Sequence, residues 1–179
     1  LSTPGITILD YESLNFSAAL DINGEPIWFA DKTNFPYNRI TVTEFSTNGN
    51  FIGYGAGGYE FTLDSDIVFQ TPSEFGVHHS IVKSDNDTYF FIEAELQLMD
   101  CPVECDDDLA NLINWQGDRF IEVDKDGNII WDWNIFDYLS SNEYNPQWVD
   151  NGLVNDANNE FDWTHSNSVF FDEESNIVY

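Results

Sequence analysis

The chain has 179 residues, 42% of them hydrophobic and 16% aromatic, which excludes a disordered acidic tail. Its net charge is −28, from 33 acids against 5 bases, so nucleic acid and anionic membranes are excluded as partners, since both need a basic surface. No apolar stretch reaches the ~20 residues that span a bilayer, and no membrane insertion is expected.

The first apolar runs, Ile6–Leu9 and Phe16–Phe29, break at Asn23-Gly24. A second pair, Ile40–Phe45 and Phe51–Tyr54, breaks at Asn48-Gly49. Asn-Gly between apolar runs is a hairpin signal, because both residues accept the positive φ of tight turns. A third hairpin joins Tyr59–Leu63 to Ile67–Phe69 through Asp64-Ser65-Asp66. From His78, a short run Ser80–Lys83 turns at Asp85-Asn86-Asp87 into Tyr89–Leu96, rich in aromatic residues. Strand follows strand, with no helical period.

Next comes a loop with Cys101, Cys105 and the acidic run Asp106-Asp107-Asp108. A C-x3-C pair closes a small disulfide loop in an oxidising compartment or stands as two thiols; two further ligands for zinc are not nearby. The run Arg119–Trp133 then repeats the first one. Asp21-x-Asn23-Gly24-x-x-Ile27-Trp28 and Asp124-x-Asp126-Gly127-x-x-Ile130-Trp131 lie 103 residues apart. Their alternating oxygens resemble the start of a calcium loop, but the distal bidentate glutamate is missing, so no metal is assigned.

The histidines repeat too. Setting His78 on His165 puts Val82 on Val169 and Asp85 on Asp172, all 87 residues apart. Two hairpin types recurring in one order predict a β-propeller, built from units of ~40 to 50 residues. The expected organisation is an all-β, partial propeller of about three blades: the end of one blade at 6–31, a blade at 40–69, a blade at 78–134 with an insertion at 99–116, an insertion at 135–160, and the start of the next at 161–179. The absence of an initial methionine and an end within a strand-like run suggest part of a longer protein.

A histidine at a strand start is, taken alone, more often a hydrogen-bonded structural residue than a catalyst. Equivalent points of successive blades, however, converge on the propeller axis, which would gather His78, His79, His165 and Asn167 around one cavity. Residues two apart on a strand share a face, so His165 and Asn167 are expected side by side as donors to an oxyanion. Trp163 and Thr164 beside them are candidate substrate contacts, Trp163 for an aromatic ring, with core packing as its alternative role.

The blocks Gly76-Val77-His78-His79-Ser80-Ile81, Asp118-Arg119-Phe120-Ile121-Glu122-Val123-Asp124 and Phe161-Asp162-Trp163-Thr164-His165-Ser166-Asn167-Ser168-Val169 resemble, in this order, the bacterial-type arylsulfate sulfotransferases. The resemblance runs from about Ile6 to Tyr179. It implies a six-bladed propeller, periplasmic or secreted, that moves a sulfuryl group from an aryl sulfate to a phenol through a sulfated histidine and without a nucleotide donor. It further implies that His165 and Asn167 bind sulfate oxygens and that His78-His79 is the family's histidine pair; the internal repeat makes His78 the positional counterpart of His165, and which of the two faces the site stays open.

The family's sulfate-binding arginine and nucleophilic histidine are expected beyond Tyr179, so the 179 residues are expected to be inactive alone. No phosphate-cradling glycine loop precedes a helix, and no cofactor is expected. The partners implied are a small aryl sulfate and a phenol; oligomeric state is left open, a homodimer included. The rival function is a non-catalytic secreted binding or adhesion module whose acidic surface holds calcium.

Overall fold

The structure, a computed structural model, describes residues 5–11, 16–101, 112–145, 147, 154–155 and 160–179. The described chain is all-β. Strands β1 (Thr7–Tyr11), β2 (Phe16–Leu20) and β3 (Pro26–Phe29) form a first antiparallel sheet. Strands β4 (Thr41–Phe45), β5 (Phe51–Tyr54), β6 (Gly58–Phe61) and β7 (Ile67–Gln70) form a second, in sequence order.

A third sheet is built on β8 (Val77–Lys83), β9 (Tyr89–Asp100), β10 (Leu112–Val123) and β11 (Ile129–Asn134). Hairpin β9–β10 is twelve paired residues long, and its outer part reaches into the stretch read from sequence as an insertion. Strand β13 (Glu160–Asp162) pairs in parallel with β10 beyond the end of β11, and β12 (Val154–Asn155) pairs with β13. A final hairpin joins β14 (Phe171–Asp172) to β15 (Ile177–Val178).

The repeated Asp-x-Asn/Asp-Gly motif has a local cause. Asp21 Oδ1 accepts from the backbone N–H of Asn23 and Glu25, and Asp124 Oδ1 from those of Asp126 and Asn128. Gly24 and Gly127 complete the two turns at φ +83° and +84°, where a side chain would be strained. The motif is therefore turn chemistry written twice.

Successive sheets stack face to face through aromatic pairs. Trp28 of β3 lies on Phe51 of β5 at 4.3 Å between ring centroids, Phe69 of β7 on Tyr89 of β9 at 3.7 Å, and Phe90 of β9 on Phe171 at 4.4 Å. Alternation along β9 explains why the third sheet packs on both sides. Tyr89 and Phe91 face the second sheet, while Phe90 and Ile92 face the β14–β15 hairpin. Each fully buried aromatic contributes about 1.5–3 kcal/mol.

A polar lock joins the second and third sheets at Glu60, a fully buried residue of β6. Its carboxylate accepts from Asn48 and Asn50 of the β4–β5 turn at 2.8 and 2.7 Å, from Lys83 Nζ at 2.8 Å and from the Tyr89 hydroxyl at 2.5 Å. Burial alone would raise this carboxyl, but those four donors outweigh it and hold it at about 2.

Among the described residues, no helix is long and apolar enough to cross a membrane. Cys101 is disulfide-bonded; Cys105 and Asp106-Asp107-Asp108 lie outside the described residues.

Candidate functional site

The histidine pair opens β8 on a bulge. Val77 pairs with Glu93 and Ile81 with Phe91, so four steps on β8 face two on β9. The surplus lifts residues 78–80 out of the ladder and puts His79 at φ +57°. Segment 163–170 carries no strand pairing, and His165 within it stands at φ +43°. Both histidines thus hold a left-handed backbone that non-glycine residues rarely adopt. By backbone conformation the counterpart of His165 is His79, not His78 as the sequence repeat suggested.

The three imidazoles come together. The rings of His78 and His79 are 5.1 Å apart between centroids, and those of His79 and His165 are 5.3 Å apart. Two carboxylates back the cluster. Asp162 Oδ2 is hydrogen-bonded to His165 Nδ1, and Asp118 Oδ1 lies 3.3 Å from His78 Nε2.

Asp118, only 1% exposed on β10, organises the rest. Its Oδ2 accepts from the Thr164 hydroxyl at 2.6 Å and from the Ser166 backbone N–H at 2.8 Å, and its own N–H donates to Thr164 Oγ1 at 3.2 Å. The two neighbours of His165 are therefore both fixed by one buried carboxylate, which holds the left-handed turn between them. Burial would push this carboxyl up, but His78, Thr164 and Ser166 bring it down to about 2, so it is an anion at neutral pH.

Burial first, then the neighbouring His78 and His165, hold the His79 imidazole below the ordinary histidine value, with Asp118 and Asp162 opposing. His79 thus favours the neutral form at pH 7, suited to accept a proton. A carboxylate on Nδ1 of His165 orients that ring and leaves Nε2 for a ligand. With the His165 side chain 48% exposed, that nitrogen is within reach of solvent.

Some expectations need correction. His165 and Asn167 do not share a strand face: the left-handed residue breaks the alternation, and the Asn167 amide donates back to the His165 carbonyl at 3.1 Å. Trp163 does not line the cluster. It is 1% exposed, packs on Trp115 and Phe136, and donates its Nε1–H to the Glu143 carbonyl. The Thr164 hydroxyl donates to Asp118 and accepts from its N–H, so it is engaged within the protein.

Asp118 and Asp162 were given no role from sequence. The signal was an acid in β10, a strand whose Ile113, Trp115, Ile121 and Val123 are buried. Among the described residues no group of His, Cys, Asp and Glu is arranged to hold a metal ion.

A sequence model of the Arylsulfotransferase (ASST) family matches residues 3–179. The chain belongs to that family. Its fold is a β-propeller, in accord with the stacked sheets, and membership supports arylsulfotransferase-type chemistry in general. No curated protein matches the chain. Within an arylsulfotransferase, three converging imidazoles with two carboxylates behind them are a candidate place for the sulfuryl group.

Proposed function

We propose that this chain supplies the sulfuryl-oxygen-binding part of a nucleotide-independent arylsulfate sulfotransferase. The observation that carries the reading is the 5.3 Å approach of the His79 and His165 rings, each on a left-handed backbone, with Asp162 against His165 and Asp118 against His78 on the far side of His79.

In the overall reaction the S–O bond of the donor ester breaks. The phenol oxygen of the acceptor takes the sulfuryl group, and its proton passes to the departing aryloxide. Charge builds on the peripheral sulfuryl oxygens in a loose transition state, so catalysis rests on placed donors. Protonated on Nε2, His165 donates to such an oxygen, with Asp162 offsetting the imidazolium charge. The free N–H of the Asn167 amide is a second donor on the same segment. His79, favoured in its neutral form, accepts the acceptor's phenolic proton. With −28 net charge repelling an anionic ester, these local donors are what admit it.

Transfer through a sulfated histidine, with a nucleophile and an arginine outside this chain, belongs to the same proposal. So does a periplasmic or extracellular setting, supported by the disulfide at Cys101. The test is turnover of 4-nitrophenyl sulfate, with and without phenol, by the full-length protein containing this chain. His165→Ala should lower kcat by about 100-fold or more at unchanged melting temperature. Unchanged turnover removes His165 from the mechanism.

A further inference from the structure

Strand β9 outruns its neighbour β8. The last pair between them is Val77 with Glu93, whereas β9 continues to Asp100 against β10. From Ala94 outward, β9 thus has one side paired and, among the described residues, one side open. The phase of the pairing decides which groups face the open side. The Gln116 carbonyl accepts from the Trp163 N–H and the Asp118 N–H donates to Thr164 Oγ1, so both residues turn their backbone groups away from β9. In an antiparallel ladder, facing residues exchange both bonds or neither. Their opposites, Leu96 and Ala94, and Leu98 by alternation, therefore present N–H and C=O to the open edge, over about 14 Å.

Exposed strand edges are ordinarily blunted by lysine, proline or a bulge, and residues 94–100 have none of the three. Leu96 and Leu98 are 51% and 62% exposed, and Leu112 on β10, opposite Asp100, extends their face at 42%. An apolar strip of this kind on a soluble surface marks a place of contact. Charge selects the partner. Residues 93–100 and 112–118 carry Glu93, Glu95, Asp100 and Asp118 and no base. Glu95 stands on the face opposite the leucines. A second copy of the chain, with its own −28, is repelled from such an edge, and a cation is drawn to it.

We infer that the Ala94–Leu98 edge binds an extended cationic peptide as an added strand, with apolar side chains on Leu96 and Leu98 and a lysine or arginine opposite Glu95. In this mode main-chain bonds supply affinity and alternate side chains supply the choice of sequence. Because Ala94 lies opposite Asp118, which contacts His78, one end of the bound segment comes to rest beside the histidine cluster. Binding needs only the edge and its charge, so it does not depend on sulfuryl transfer.

A rhodamine-labelled Lys-Val-Lys-Val-Lys-Val-Lys peptide, titrated into the full-length protein and followed by fluorescence anisotropy, tests the edge. Saturable binding is expected, with slower deuterium exchange at residues 94–98. The same peptide N-methylated on its valines keeps its charge but loses the donors that meet Leu96, and should bind at least tenfold more weakly. Glu95→Lys should weaken binding about fivefold. Leu98→Pro, which removes an N–H that points away from the β10 ladder, should weaken it at least tenfold. Melting curves confirm that each variant is folded; should Leu98→Pro unfold, Glu95→Lys and the N-methylated peptide decide. Equal affinity for the N-methylated peptide, which means attraction by charge alone, overturns the inference. So does an edge already slow to exchange in the free protein, covered by its own chain or by a second copy, and so does the absence of saturable binding.

Discussion

Asp118 and His165 never touch, yet the carboxylate of the first holds both chain neighbours of the second, Thr164 through its hydroxyl and Ser166 through its N–H. A residue in the apolar interior of β10 thereby sets the direction of an imidazole on an unpaired segment. Asp118→Asn keeps the size and, with its oxygen in the place of Oδ2, the Thr164 and Ser166 bonds, but it removes the negative charge and turns an amide donor toward His78 Nε2 in place of Oδ1. Turnover of the full-length protein should fall about 10- to 100-fold, while Thr164→Val, which leaves the Ser166 bond, should fall less. Separate kcat and KM values, with imidazole 15N shifts to follow ring tautomers, check this; native ring shifts in Asp118→Asn would count against it.

The His79 imidazole is expected to titrate below 6.5, since burial and two adjacent imidazoles disfavour its charged form. The sign is that of a depressed base. Folding gains nothing from protonating His79, and stability from this group declines as pH drops through the ordinary histidine value. His78→Ala and His165→Ala should each raise the His79 midpoint, because each removes a like charge. Two-dimensional NMR of the ring protons between pH 4 and 8 measures it.

Glu60 supplies a prediction about stability alone. Glu60→Gln leaves the Lys83 ammonium without its buried partner and should cost about 3 kcal/mol in urea unfolding. Its folded pKa of about 2 lies below the ordinary value of 4.5, so the wild-type contribution is fully present above pH 4.5 and fades as pH falls toward 2. Glu60→Gln should show a flatter stability profile across that window.

Trp163→Phe removes the hydrogen bond to the Glu143 carbonyl and trims the packing against Trp115 and Phe136. The melting temperature should fall, with a cost of about 1–2 kcal/mol, and KM for an aryl sulfate should not change. A raised KM with unchanged stability would restore Trp163 as a substrate contact.

Chelators should leave the melting temperature unmoved. The carboxylates of Asp21 and Asp124 are occupied by the N–H groups of their own turns. A calcium-dependent rise in melting temperature, read by differential scanning calorimetry, would favour the adhesion-module reading instead.

The hairpins were readable in the sequence because turn chemistry is local: Asn23-Gly24 and Asp126-Gly127 announce their geometry within five residues. The repeat pointed to a meeting of the histidines, and the His79 ring does stand 5.1 and 5.3 Å from those of His78 and His165. What escaped was non-local or conformational. Left-handed backbone at His79 and His165 is imposed by a bulge and by Asp118, neither of which leaves a mark beside the histidines. The burial of Trp163 depends on β13 docking in parallel on β10, a pairing with no local signature. Spacing of two promised a shared face for His165 and Asn167, and one positive φ undid it.

That parallel docking bears on how the site breathes. Through β13, the Trp163 N–H to Gln116 bond and Asp118, the part of the segment that bears His165 is clamped to β10, two strands over from the β8 pair, while only its far end, Phe170, pairs with Tyr179 after the last hairpin. All three imidazoles ride on a single slab. A tilt between this slab and its neighbours would change the gap between sheets and leave the ring-to-ring spacing of the histidines as it is.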